Sequence, residues 1–355
     1  MQTLLELLKK TEEYLKKNKV EKPRLEAERI FSQSLNIDRI TLYTQYDRIL
    51  TNEEKNKIKT YINDTKIKSG YLKDILDSSI EYLKKYKIDE ARLIAELIFS
   101  NILKIDRMLL FMNYDKNITD KQKKDIREAL KKIAIDKLPY QYLINQQNFY
   151  GRNFYVNKGV LIPRYDTECL VENVIKNVKI KAPFILDIGT GSGAIAITLG
   201  LEIPESKVLG IDISDKAIEI SKKNRDDLGA KNVKFVLSDL FENVNFKSFD
   251  IIVSNPPYIS NDEIALVSEQ TYIHEPKEAL FANADGLYFY YLIAEKARDY
   301  LKNEGMLAFE IGFNQAEAVK NILLEFSYKD IRVIKDLDSH DRVILCKYEG
   351  RDDEW

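Results

Sequence analysis

Residues 183–200 read PFILDIGTGSGAIAITLG, an apolar run that ends in three glycines at alternate positions, Gly189, Gly191 and Gly193, and resumes as a second apolar run. The first run has the length of a buried strand, and the second opens a helix at Ala194. Glycines between them permit positive φ and let the backbone come within contact distance of a ligand. The same alternation continues downstream: KVLGIDI (207–213) leads into an amphipathic helix from Lys216, followed by NVKFVL (232–237), FDIIVSNPP (249–257), GMLAFEIG (305–312) and DRVILCKY (341–348). Strands alternating with helices imply βαβ units, hence an α/β, Rossmann-like fold with a mainly parallel sheet covered on both faces. In such sheets the ligand crevice lies outside the carboxyl ends of the strands.

Each motif falls at such an end. Asp187 precedes Gly189-Thr190-Gly191-Ser192-Gly193, a spacing distinct from the GxGxxG of dinucleotide sites. The second strand ends at Asp212, a carboxylate placed to accept ribose hydroxyls; Ser214 and Asp215 suit the N-cap of the next helix better. Together these favour a nucleoside cofactor without a pyrophosphate, S-adenosylmethionine, over NAD. After the third strand, Asp239 can accept from an adenine amino group while Leu240 packs on the ring, although a plain turn aspartate reads the same way.

Ser254-Asn255-Pro256-Pro257-Tyr258 closes the fourth strand. Two prolines fix φ and remove two donors, which leaves the neighbouring carbonyls as directed acceptors. That arrangement suits an NH2 group whose lone pair is delocalised. The Asn255 side-chain carbonyl and the Pro256 carbonyl can each take one hydrogen, and the Tyr258 ring can stack on the planar group. Catalysis of this kind is orientation and electrostatics for an in-line displacement, with no protein nucleophile. The expected class is a methyltransferase acting on an amide or exocyclic amino nitrogen.

The first half is duplicated. Laid without gaps at an offset of 68, Tyr14 falls on Tyr82, Arg24 on Arg92, Phe31 on Phe99, Asp38 on Asp106, Tyr46 on Tyr114 and Thr51 on Thr119. Apolar positions recur at three and four residues in each copy, which predicts two tandem small helical bundles, with Thr51 and Thr119 as N-caps. We divide the chain into a first copy (1–68), a second copy (69–137), a β-hairpin linker (138–165) and a catalytic domain (166–355). The linker assignment rests on its aromatic and β-branched content, with Gly151 and Gly159 as turns.

Among the 355 residues, 45% are hydrophobic and 32% charged, the profile of a globular chain. Two cysteines without CxxC spacing and two distant histidines suggest neither a disulfide framework nor a metal site. No apolar run approaches membrane-spanning length, so the expectation is a cytoplasmic protein with no membrane partner. The net charge of −2 conceals an asymmetry: residues 1–145 hold 30 Lys and Arg against 23 Asp and Glu, the remainder 25 against 34. A basic front could serve an RNA or DNA amino-methyltransferase, which is the competing reading. The acidic catalytic half, and a front without an arginine-rich stripe, make nucleic acid an unlikely partner.

Six segments, PYQYLINQQNFYGRNFYVNKGVLIPR, LDIGTGSGAIAI, SNPPYIS, HEPKEALFANADGLYFY, FEIGFNQ and DLDSHDRV, give the chain a resemblance to the HemK/PrmC family over about residues 70–350. That family methylates the glutamine of the Gly-Gly-Gln loop in class I peptide chain release factors. The resemblance implies a class I S-adenosylmethionine-dependent methyltransferase with a mainly parallel seven-stranded sheet. It implies that Gly189, Thr190, Gly191, Ser192, Gly193, Asp212, Asp239 and Leu240 hold the cofactor, bordered by Asn255. Asn255, Pro256, Pro257 and Tyr258 would hold the glutamine amide, with Phe149 near the mouth. The release factor would be met by the helical front and the catalytic cleft. Two features depart from the family: Tyr165-Asp166 stands where Pro-Glu is usual, and the helical front is doubled, residues 1–68 being the surplus copy.

Overall fold

The structure, a computed structural model, describes residues 3–17, 20, 22–67 and 71–350. It divides into two compact units at Leu130/Lys131. The expected copy boundary at 68/69 lies outside the described residues.

The first unit is helical. Helices Leu4–Lys17, Pro23–Leu35, Arg39–Thr44 and Asn52–Ile67 form one set; Leu72–Lys85, Ala91–Leu103, the 3-10 segment Arg107–Asn113 and the start of Asp120–Ala134 form the other. The two sets are built with the same locks. Thr51 Oγ1 accepts from Glu54 N at 3.2 Å while Glu54 returns a bond to Thr51 N at 2.9 Å, and Thr119 and Gln122 do the same at 3.2 and 3.0 Å. Glu28 accepts from Arg24 and Arg39, both at 2.7 Å; Glu96 accepts from Arg92 at 2.8 Å and Arg107 at 3.2 Å. Copy one adds Glu12 and Tyr43 to this network, whereas Ile80 and Phe111 occupy the equivalent places in copy two.

The second unit begins at Lys131. In the stretch read as a hairpin, strands cover only β1 (Gln147–Phe149) and β2 (Arg152–Phe154), and Tyr140–Ile144 is a short helix entered from Pro139. Residues 155–165 run as a strap held by side chains in place of a ladder. Tyr155 N donates to Asn224 at 2.7 Å, the Tyr142 hydroxyl donates to Val160 O at 2.6 Å, and Ile162 N donates to Glu275 at 3.0 Å. The aromatic and β-branched content of this stretch therefore feeds a buried strap as well as strands.

Seven strands follow: β3 (Phe184–Ile188), β4 (Lys207–Asp212), β5 (Val233–Leu237), β6 (Phe249–Ser254), β7 (Leu301–Glu310), β8 (Tyr328–Lys335) and β9 (Asp341–Tyr348). Their order is β5-β4-β3-β6-β7-β9-β8, with β9 antiparallel to both neighbours and every other pair parallel. Alternate residues feed opposite cores: Leu186, Ile252 and Leu307 join one apolar cluster, and Ile185, Ile251 and Ala308 the other. The register sets Ile188 beside Ile211 on one side and Ser254 on the other, with Ser254 beside Phe309. Gly189, Asp212, Asn255 and Glu310 therefore come off one edge of the sheet at the strand ends.

Candidate active site

The glycine turn is locked from beneath by Asp187. This fully buried carboxylate accepts from the Thr190 hydroxyl at 2.6 Å and from Ala196 N at 3.2 Å, tying the turn to the first turn of helix Ala194–Glu202. Burial pushes its carboxyl up to about 7, against the pull of those two donors. Gly189 and Gly191 have φ of +71° and +55°, and a Cβ on either would meet open space, so their backbones line an accessible cradle. Gly193 differs: a Cβ there would press on Ile197, Phe235 and Ser221, so it serves helix packing.

Asp212 accepts from Gly191 N at 2.8 Å and from Ser214 N at 2.9 Å, one bond per oxygen, which leaves acceptor capacity for a diol. Burial raises its pKa, and the backbone donors oppose that. Ser214 caps helix Asp215–Leu228 through Ala217 N. Asp239 is exposed at the β5 exit, and half-buried Leu240 packs against the adjoining core with φ of 45°. An open glycine cradle, a ribose-type acceptor and an apolar ledge fit a nucleoside such as S-adenosylmethionine.

Asn255, Pro256 and Tyr258 line a cavity of about 270 Å³ together with Leu161, Arg164 and Glu310. Asn255 Nδ2 donates to Thr167 Oγ1 at 3.2 Å, which leaves its Oδ1 free to accept. Tyr258 is held at both ends: its carbonyl accepts from Gln315 Nε2 at 2.9 Å, and its hydroxyl donates to Glu310 at 3.5 Å. The segment after it is zipped to LFA (280–282), since Ile259 N donates to Leu280 O at 3.0 Å and Ala282 N to Ile259 O at 2.9 Å. Gly286, with φ of +81°, lies against the Tyr258 carbonyl, where any Cβ would collide.

These contacts give the characteristic segments a physical role. Glu275 of HEPKEAL is fully buried and accepts from Ile162 N and from Arg164 at 2.5 Å, so it fastens the VLIPR strap to the wall of the cavity. At the departure from the family pattern, Asp166 pairs with Arg342 of DLDSHDRV at 3.3 Å, Tyr165 stays exposed, and Glu168 accepts from Tyr150 N at 2.8 Å. Phe149 has no exposed surface; its ring packs edge-on against Phe154 at 5.9 Å within the core, so in this structure it is a packing residue and does not line the cavity. Sequence patterning named Asp187 ahead of the glycines but gave no role to Thr167, Glu275, Glu310 or Gln315. The HEPKEAL and FEIGFNQ segments were the available signals for Glu275, Glu310 and Gln315, while nothing local marked Thr167.

Among the described residues no cluster of three or more His, Cys, Asp or Glu gathers as for a metal, and no helix is long and apolar enough to cross a membrane. Both cysteines are free.

This sheet order, the glycine turn at the first parallel strand and the Asn-Pro-Pro-Tyr turn beside it define a class I S-adenosylmethionine-dependent methyltransferase. The Methyltransferase small domain model matches residues 165–300, and the PrmC N-terminal domain model matches residues 6–66 and 74–144. A release factor glutamine methyltransferase of Fusobacterium nucleatum is 41% identical over 333 residues, covering 89% of this chain and 94% of that protein. Proteins of the same name from Thermodesulfovibrio yellowstonii and Clostridium botulinum are each 38% identical, over 77% and 78% of this chain and 97% and 99% of their own lengths. The chain belongs to the HemK/PrmC family of release factor glutamine methyltransferases.

Proposed function

We propose that the chain transfers a methyl group from S-adenosylmethionine to the side-chain amide nitrogen of the glutamine in the Gly-Gly-Gln loop of class I release factors, in the cytoplasm. The observation that carries this reading is the polarity of Asn255. With Nδ2 committed to Thr167, Oδ1 is left as an acceptor on a residue that lines the cavity, the group that an incoming NH2 needs. Pro256 supplies a second carbonyl from a backbone with no donor to offer. The two acceptors take the two amide hydrogens, hold the nitrogen in line, and favour localisation of its lone pair. The bound cofactor supplies an electrophilic methyl on a sulfonium; Gly189 to Gly193, Asp212, Asp239 and Leu240 would hold it. The Tyr258 ring, fixed through its carbonyl and hydroxyl, gives the planar amide a face to stack on.

The second helical copy is the better candidate for contact with the release factor. Met108, Phe111 and Met112 are each more than 60% exposed there; at those places the first copy also exposes Ile40, but carries Tyr43, tied through its hydroxyl to Glu28, and Thr44. Its Arg92 is 70% exposed, while Arg24 is held by Glu12 as well as Glu28. Replacing Met108 and Phe111 by Ser should raise KM for an intact factor about tenfold and leave KM for a short Gly-Gly-Gln peptide unchanged. An equal change on both substrates would remove the docking role.

The direct test is transfer of labelled methyl to a purified class I release factor, to the same factor with its Gly-Gly-Gln glutamine replaced, and to total RNA. Label on the intact factor alone is expected. Label on RNA alone would replace this reading with a nucleobase methyltransferase.

A further inference from the structure

The internal repeat makes one half of the helical front a control for the other. In the first copy Arg24 engages all three guanidinium nitrogens inside the protein: Nε donates to Glu28 at 2.7 Å, Nη1 to Glu12 at 3.0 Å and Nη2 to the Tyr46 hydroxyl at 3.1 Å. Glu28, 1% exposed, also accepts from Arg39 and from the Tyr43 hydroxyl. In the second copy the same lock is half open. Arg92 Nε donates to one oxygen of Glu96 at 2.8 Å and Arg107 Nη1 to the other at 3.2 Å. With Ile80 in the place of Glu12, neither terminal nitrogen of Arg92 has a partner among the described residues, nor do Nε and Nη2 of Arg107. One carboxylate therefore holds two guanidiniums together and leaves most of their donors unused.

The pair lines an open hollow of about 680 Å³ with Lys84, Ile88 and Leu93, and exposed Met108, Phe111 and Met112 continue from Arg107 along the same 3-10 segment. Guanidiniums with free N–H groups make a fork for a planar oxyanion, a carboxylate or a phosphate. Two observations choose between these. Asp89 and Glu90 line the hollow as well, and no ion pair among the described residues joins either to Arg92 or Arg107. With Glu96 they offset Lys84, Arg92 and Arg107, which disfavours the dense charge of a nucleic-acid backbone and still admits a single carboxylate. The adjoining Met108 and Phe111 need an apolar cover, which a folded protein surface has and a phosphate chain lacks. We propose that Arg92 and Arg107 receive one aspartate or glutamate side chain on the surface of the release factor, as the polar half of a docking site whose apolar half is Met108 and Phe111. Glu12 and Tyr43 close the equivalent receptor in the first copy. This rests on the proposed function and names the chemistry of the contact.

The test measures kcat and KM on an intact class I release factor and on a short Gly-Gly-Gln peptide, at low and high KCl, for wild type, Arg92→Gln, Arg107→Gln and Ile80→Glu. Arg92→Gln should raise KM for the factor about tenfold at low salt, leave kcat and the peptide kinetics unchanged, and differ less from wild type at high salt. Ile80→Glu gives Arg92 the carboxylate that Arg24 has and should raise KM in the same way. Ile80 is 8% exposed, so if a thermal scan shows that variant unfolded, the two glutamine variants decide the matter. Each surface Asp and Glu of the factor is then neutralised in turn against wild type and Arg92→Gln, and one of them should show a coupling of about tenfold. Unchanged KM in Arg92→Gln, an equal rise on factor and peptide, or no coupled carboxylate would overturn the proposal. So would relief of inhibition by total RNA in Arg92→Gln at unchanged KM for the factor, which would assign the pair to nucleic acid. Wild type that leaves the factor unlabelled would instead refute the proposed function.

Discussion

Glu275→Gln is the substitution that most directly tests how the cavity wall is built. In the native site two donors converge on one buried carboxylate: Ile162 N at 3.0 Å and Arg164 at 2.5 Å. A glutamine keeps the volume but offers one acceptor and one donor group, so either the backbone N–H or the guanidinium must face an NH2. Ile162 is 2% exposed and cannot turn to water, and an orphaned buried donor costs about 1–3 kcal/mol. Loss of the charged bond to Arg164 adds about 1 kcal/mol, discounted because that side chain is 37% exposed. The sum is about 2–4 kcal/mol, or a Tm lower by about 5–12 °C for a unit of this size. Urea unfolding and a thermal scan measure the stability. Steady-state kinetics should show the functional loss on the release-factor side, since Leu161 and Arg164 line the cavity and the glycine turn does not. A destabilisation under about 0.5 kcal/mol, or a weaker cofactor Kd at unchanged kcat, would refute this account of the strap.

Asn255→Ala should cut kcat by about 100- to 1000-fold with cofactor Kd nearly unchanged, read by calorimetry beside single-turnover rates. Gly286→Ala must push the Tyr258 carbonyl away, so both kcat and Tm should fall, and a variant with native values for both would show that the backbone yields there at no cost. Asp187, with its folded pKa near 7, binds a proton that the unfolded chain releases at about pH 4. Its contribution to stability is thus complete below about pH 4 and lost as pH rises through about 7. Asp187→Asn should flatten the decline in urea midpoint between pH 5 and 8, and parallel curves for variant and wild type would place the titration elsewhere.

Much of this architecture is legible in the sequence because it is written locally. Runs such as FDIIVS and KVLGID carry the strand signal, GTGSG and NPPY sit where those runs stop, and a constant offset of 68 exposes the duplication. The supports of the site are not local. Thr167 and Asn255 are 88 positions apart, Arg164 and Glu275 are 111 apart, and they meet because of sheet register and loop closure, which no periodicity encodes. The strap at 155–165 resembled strand for a physical reason: a chain buried among apolar neighbours selects the same side chains whether its polar groups are satisfied by a ladder or by Asn224 and Glu275. Phe149, which the resemblance assigned to the mouth, has its ring packed edge-on against Phe154 inside the core.

The bonds between Ile259 and residues 280–282 close the base of the intervening segment. Mechanically, the NPPY turn is anchored on its own side of that clasp, while the segment beyond it is fastened separately, through Glu275 to Ile162 and Arg164. Leu266, Val267 and Thr271 within it line the cavity. Substrate preference can thus drift by exchange of those side chains while the amide-binding geometry stays fixed, which separates what the enzyme recognises from what it does.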